Sequence, residues 1–265
     1  MRKFLFLPLL ALLASCGKNE DCDIVTPQPE DLVSPALYAT LSQSSTDPYN
    51  SPLEVLPCET NGSFYIGNYT AKGKQVPFPA YYLITNGIGK SQKYPLRLPV
   101  GTYNVIYWGY PDYFGTAGDA YLADPTLIIG KKLNTTSLGL RKIPGDTVYY
   151  PIHSLVYGTQ NINIGKDDLQ AHLKHASAAL SVIVSETNGD AFSDAIDSMW
   201  IYISNIHSNL NYFSARPEGT FKTISFGLKP STNRTEFNNN FVSVFPSQPC
   251  LLYTSPSPRD KRQSR

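Results

Sequence analysis

From Leu37 to Phe245, runs rich in Tyr, Val, Ile, Thr and Phe are separated by Gly, Pro, Asn and Asp. Apolar runs of this length between turn-forming residues are the pattern of β-strands. They predict strands near 37–42, 63–70, 80–85, 94–98, 102–108, 126–129, 147–150, 154–157, 160–164, 169–185, 199–206, 210–213, 221–228 and 236–245. Only Asp190 to Ile196 reads as a helix, and a short one. Many short strands at this spacing predict an all-β protein, one β-sandwich or two in series.

Two stretches refine the pattern. In Tyr103-Asn104-Val105-Ile106-Tyr107-Trp108, the residues Tyr103, Val105 and Tyr107 face one way, while Ile106 and Trp108 face the other. A strand that is apolar on both faces is buried on both; Pro99 and Gly101 make the turn before it. In 169–185, Leu169, Ala171 and Leu173 share one parity, and Ala176, Ala178, Leu180, Val182 and Val184 share the other. One extra residue flips a strand's faces, so a bulge or a crossing between sheets is expected near His175. With a turn at Gly165 to Asp168, these patterns divide the body into an N-terminal sandwich at 36–165 and a C-terminal one at 166–249, opened by 169–185.

The two ends of the chain read differently. Arg2 and Lys3 precede an apolar run from Phe4 to Leu13, followed by Ala14-Ser15-Cys16. A charged start, a short apolar run and small residues form a secretory signal, too short to span a bilayer. Leu13-Ala14-Ser15-Cys16 resembles a bacterial lipobox, which implies cleavage after residue 15 and lipidation of Cys16. Residues 250–265 begin Cys-Leu-Leu-Tyr-Thr-Ser-Pro-Ser-Pro-Arg-Asp, which resembles a translated transposase adapter from sequencing libraries. They are set aside from the fold, and the last domain is expected to be cut short.

This changes the charge and the cysteine count. Without the two basic residues of the leader, and the four basic and one acidic residues of the tail, 16 Lys+Arg face 20 Asp+Glu, a formal net charge of −4. No basic stripe remains for a nucleic acid. Cys22 and Cys58 are left, in a compartment that permits disulfides; a bridge and two unpaired thiols both fit the sequence. Residues 16–35 carry Pro27, Pro29 and Pro35 and read as an extended linker. Lys18, Glu20, Asp21 and Asp23 in it resemble a surface-export signal of Bacteroidetes lipoproteins.

Reactive chemistry is sparse. His172 and His175 could pair on a metal from a helix, but on a strand they point to opposite faces. Gly-x-Ser-x-Gly, phosphate-binding glycine loops and His-Glu-x-x-His are absent from the sequence, so no enzyme, metal or cofactor is expected. The aromatic stretch 107–114, with Tyr121, offers Trp108, Tyr110 and Tyr113 as candidate sugar contacts; the competing reading packs Tyr107 and Trp108 in the core. Asp146-Thr147-Val148 and Asp197-Ser198-Met199 resemble a Bacteroidetes O-glycosylation motif.

Leu-Pro-x-Gly-Thr-Tyr at 98–103, a Trp-Gly strand end at 108–109, the Tyr157-Gly158 hairpin and Leu-Lys-x-Ala-x-Ala-x-Leu-x-Val-x-Val at 173–184 are together similar to the fimbrial anchor and fimbrillin-type lipoproteins of Bacteroidales. The resemblance covers roughly 80–245. It implies two transthyretin-like β-sandwich domains, an outer-membrane location through a lipid anchor, and fimbrial subunits as partners, joined by β-strand donation. Fimbrillin-type relatives lose their first strand to a trypsin-like protease. Here residues 19–71 contain no Lys or Arg, which implies an anchor or accessory subunit that keeps that strand. The alternative is a surface glycan-binding lipoprotein using the aromatic loop.

Overall fold

The computed structural model describes residues 27–41, 47–92, 94–111 and 122–246. The leader, Cys16, Cys22, Tyr113, Tyr121 and the tail lie outside them. The described chain is built of strands, with single turns of 3-10 helix at Pro29–Asp31 and Leu133–Thr135. Residues 190–196, expected as a helix, form an irregular loop with a turn at its centre. Seven residues are too few to nucleate a helix in isolation. This loop is held instead by its surroundings: Phe192 packs edge-on against Phe237 at 5.1 Å, and the Arg234 guanidinium donates to the carbonyls of Ser193 (2.8 Å) and Ile196 (2.6 Å).

The first sheet runs, in spatial order, through Leu169–His175, Val156–Ile164, Gly101–Gly109, Pro52–Glu59, Ala80–Thr85, Ile88–Ser91, Leu37–Leu41 and Asp47–Pro48. Leu37–Leu41 also pairs in parallel with Leu169–His175 over five residues, so the sheet closes on itself. Closure removes most of the free edge that an open sheet presents. Ala80–Thr85 turns into Ile88–Ser91 through Asn86 and Gly87, both at positive φ (52° and 76°), the two-residue turn that Asn-Gly favours.

The Pro52–Glu59 strand, between Gly101–Gly109 and Ala80–Thr85, is absent from the expected strands. Prolines at 52 and 57 argue against an interior strand. The ladder to Ala80–Thr85, however, ends at Val55. The Pro57 carbonyl accepts from Ile66 N–H at 3.1 Å, on the side away from Gly101–Gly109. The missing Pro57 N–H faces the same segment, and there the Ile66 carbonyl accepts from the Gln75 side-chain amide (2.5 Å) instead of from a strand N–H.

The second sheet runs through Leu122–Ala123, Ser137–Leu140, Met199–Asn211, Pro217–Pro230, Glu236–Asn238 and Ile183–Ser185; Ala178–Leu180 pairs separately with Val242–Val244. Two expected assignments change here. Leu169–His175 completes the first sheet instead of opening the second half, and the parity slip at His175 is the crossing between sheets. The segment from Leu122 to Leu140, expected in the N-terminal sandwich, pairs into the second sheet.

Two strands serve both cores. From Pro52–Glu59 and Gly101–Gly109, Leu53, Val55, Val105 and Tyr107 enter the core inside the first sheet. Leu56, Cys58, Ile106 and Trp108 enter the core shared with the second sheet. The double-sided apolar pattern of residues 103–108 is satisfied in this way.

Candidate functional site

Trp108 is fully buried. Its indole stacks on Tyr212 (5.5 Å between centroids, 8° between planes) and lies 4.9 Å from Tyr157, its cross-strand neighbour. The indole N–H donates to the Tyr212 carbonyl at 2.9 Å, and the Tyr157 hydroxyl donates to the Phe213 carbonyl. Two aromatic side chains of the first sheet thus clamp the turn after Met199–Asn211. Trp108 is a fastening between sheets and offers no face to a sugar, which corrects its candidacy as a glycan contact. Tyr110 is half-buried, and burial beside Glu54 and Asp124 pushes its hydroxyl well above the usual range. Tyr113 lies outside the described residues.

Glu54 sits opposite Trp108 on the neighbouring strand and accepts from the Tyr212 hydroxyl at 3.3 Å. Withdrawal from water, then the charge of Asp124, pushes its carboxyl up to about 7, against the opposing effect of the Tyr212 hydrogen bond. Cys58 is a buried free thiol, pushed up to about 12 by burial and then by Glu59. A thiol so raised is inert at neutral pH.

The two strand histidines are not brought together. His172 Nδ1 meets Thr40 Oγ1 at 3.1 Å, while His175 lies opposite Val156 at the far end of the strand. Among the described residues no group of three His, Cys, Asp or Glu side chains is placed to hold a metal ion. Thr147 and Ser198 are exposed, and the Asp146 carboxylate accepts from Thr147 N–H at 2.5 Å, a turn contact.

A feature not singled out from sequence lies on the outer face of the second sheet. Met199-Trp200-Ile201-Tyr202-Ile203 alternates aliphatic and aromatic residues, so Met199, Ile201 and Ile203 pack inward while Trp200 and Tyr202 stand in solvent. They line a groove of about 1010 Å³ whose far wall is formed by residues 150–154 and 240–243. The alternation could have revealed it, had the two parities been read separately.

Comparison with solved structures finds similar chains at low identity. The fimbrial anchor protein Mfa2 from Porphyromonas gingivalis is 10% identical, with 79% of this chain and 72% of that one covered and a TM-score of 0.45. A candidate adhesin from Bacteroides ovatus is 14% identical, covering 83% and 69% at a TM-score of 0.49. A candidate polysaccharide-binding protein from Bacteroides thetaiotaomicron is 16% identical, covering 74% and 65% at a TM-score of 0.43. No curated protein sequence matches the chain. The family model of the fimbrillin-A associated anchor proteins Mfa1 and Mfa2 matches residues 27–250. That match spans most of the chain, and the class it defines is that of fimbrial anchor-associated proteins. The chain belongs to the fimbrillin-A associated anchor family.

Proposed function

We propose that this protein is an outer-membrane surface lipoprotein, tethered through Cys16, that serves as an anchor or accessory subunit of fimbriae and joins other subunits by β-strand donation. In such joining, main-chain hydrogen bonds supply affinity and alternate side chains fill pockets. The observation that carries the reading is the state of the first long strand. Leu37–Leu41 is locked in parallel against Leu169–His175, with Leu37 and Ala39 buried. Residues 19–71 offer a trypsin-like protease no Lys or Arg at which to free it. A subunit of this kind keeps its tether and its strand together, as an anchor must.

The test is incubation of the lipidated, full-length mature protein with a trypsin-like protease, read by intact mass. The anchor reading predicts that residues 19–71 stay continuous with the body. Loss of the Leu37–Leu41 strand from the body, as by a cut at Lys72, would refute it; a cut after Lys18, beside the lipid, leaves residues 19–71 on the body and frees no strand. The alternative of a glycan site in the 107–121 loop loses its principal residue with Trp108 in the core, and is not carried forward.

A further inference from the structure

We propose that the groove on the outer face of the second sheet is a binding site for a neutral oligosaccharide or polysaccharide, with Trp200 and Tyr202 as stacking platforms. Single exposed aromatics are ordinary on a protein surface; three converging on one groove are not. Trp200, Tyr202 and Phe241 are 58%, 61% and 74% exposed, and all three line it. Trp200 and Tyr202 are two residues apart on one strand, so their rings stand on the same face about 7 Å apart. Opposite Trp200 is Gly227, and a Cβ built there would lie 4.0 Å from the indole Cζ2. The indole is thus supported at its edge by side-chain-free backbone, and its body stays in solvent.

The rest of the lining decides the class of ligand. Asn240, Ser154, Ser243 and Tyr202 bring amide and hydroxyl groups to the lining. A purely apolar partner would cover these groups without pairing them. A polyhydroxylated ring satisfies both kinds of surface, with C–H faces on the aromatics and hydroxyls on the amides and hydroxyls. Charge narrows the class further. Among the described residues the lining contains one carboxylate, Asp146, one imidazole, His153, and no Lys or Arg. A uronic or sulfated sugar would meet the Asp146 carboxylate with no guanidinium or ammonium group to bind it. This site is independent of the fimbrial reading, since a protein with no role in fimbriae could carry it.

The test is affinity electrophoresis of the full-length mature protein in native gels containing galactomannan, xyloglucan, laminarin or starch, with polygalacturonate as the acidic comparison. Wild type should be retarded by at least one neutral polymer and not by polygalacturonate. Trp200→Ala should weaken retention by about tenfold or more, while Phe78→Ala, an exposed aromatic outside the groove lining, should leave it unchanged. The wild type gives a second readout that needs no variant. The chain has two tryptophans; Trp108 is buried and Trp200 exposed, so the retarding polymer should shield Trp200 emission from acrylamide. Absence of retardation in all four neutral gels, retention on polygalacturonate alone, or a Trp200→Ala protein retarded as strongly as wild type would each overturn the proposal.

Discussion

Replacing Glu54 by Gln tests the electrostatics of the junction between the two sheets. The carboxyl is half-buried opposite Trp108 and is pushed from 4.5 up to about 7, chiefly by withdrawal from water. The folded state therefore holds a proton that the unfolded chain has lost between about pH 4.5 and 7. Stability must fall as pH rises through that window and level off above it. At about 1.4 kcal/mol per unit, the shift amounts to about 3 kcal/mol of stability, present in full below pH 4.5 and gone above pH 7. Gln keeps an acceptor for the Tyr212 hydroxyl and removes the charge. Urea unfolding followed by circular dichroism from pH 4.5 to 8 should show wild type losing stability steeply, and Glu54→Gln losing much less. The raised carboxyl of Asp124 leaves the variant a shallower slope of the same sign. At pH 8 the variant should be the more stable protein. Parallel curves for the two proteins across the whole range would refute the reasoning.

Three further outcomes follow from packing. Trp108→Ala removes the stacked indole and its hydrogen bond to the turn and should cost about 3–5 kcal/mol in urea unfolding. Gly109→Ala places a Cβ 2.4 Å from the Tyr49 hydroxyl and 2.6 Å from Val156 Cγ2, and should cost about 1–3 kcal/mol by overpacking. Cys58, buried with its thiol pushed up to about 12, should resist a thiol reagent at pH 8 in the native protein and react fully in denaturant without reductant. Labelling that requires a reductant would show a bridge instead.

The sequence was most legible where burial is written in its alternation. Tyr103, Val105 and Tyr107 against Ile106 and Trp108 marked a strand buried on both sides, and that strand links the two cores. The parity slip at His175 marked a crossing, though the pattern could not say which sheet each half joins. That depends on the pairing of Leu169–His175 with Leu37–Leu41, a contact of 132 residues' separation that no local pattern encodes. Pro52–Glu59 was hidden by its prolines: Pro52 opens the strand, and at Pro57 the carbonyl that would have faced an N–H, that of Ile66, accepts from the Gln75 side chain. Ile88–Ser91 was hidden by its Gly and Lys, although Asn86-Gly87 is a strong hairpin signal. The helical reading of 190–196 failed because Phe192 and the carbonyls near it are claimed by Phe237 and Arg234. At the sites, local sequence could name aromatics but not sort them. Trp108 and Trp200 both sit in aromatic–aliphatic strands, and only the opposing sheet distinguishes the buried one from the exposed one.

The most direct measurement of the central claim is where fimbriae go when the tether is removed. In the native bacterium carrying Cys16→Ala in place of the wild-type gene, fimbrial subunits would be quantified on washed cells and in the medium. An anchor predicts that assembled fimbriae move from the cells to the medium while total subunit is unchanged. Fimbriae that remain on the cells in wild-type amounts would contradict it.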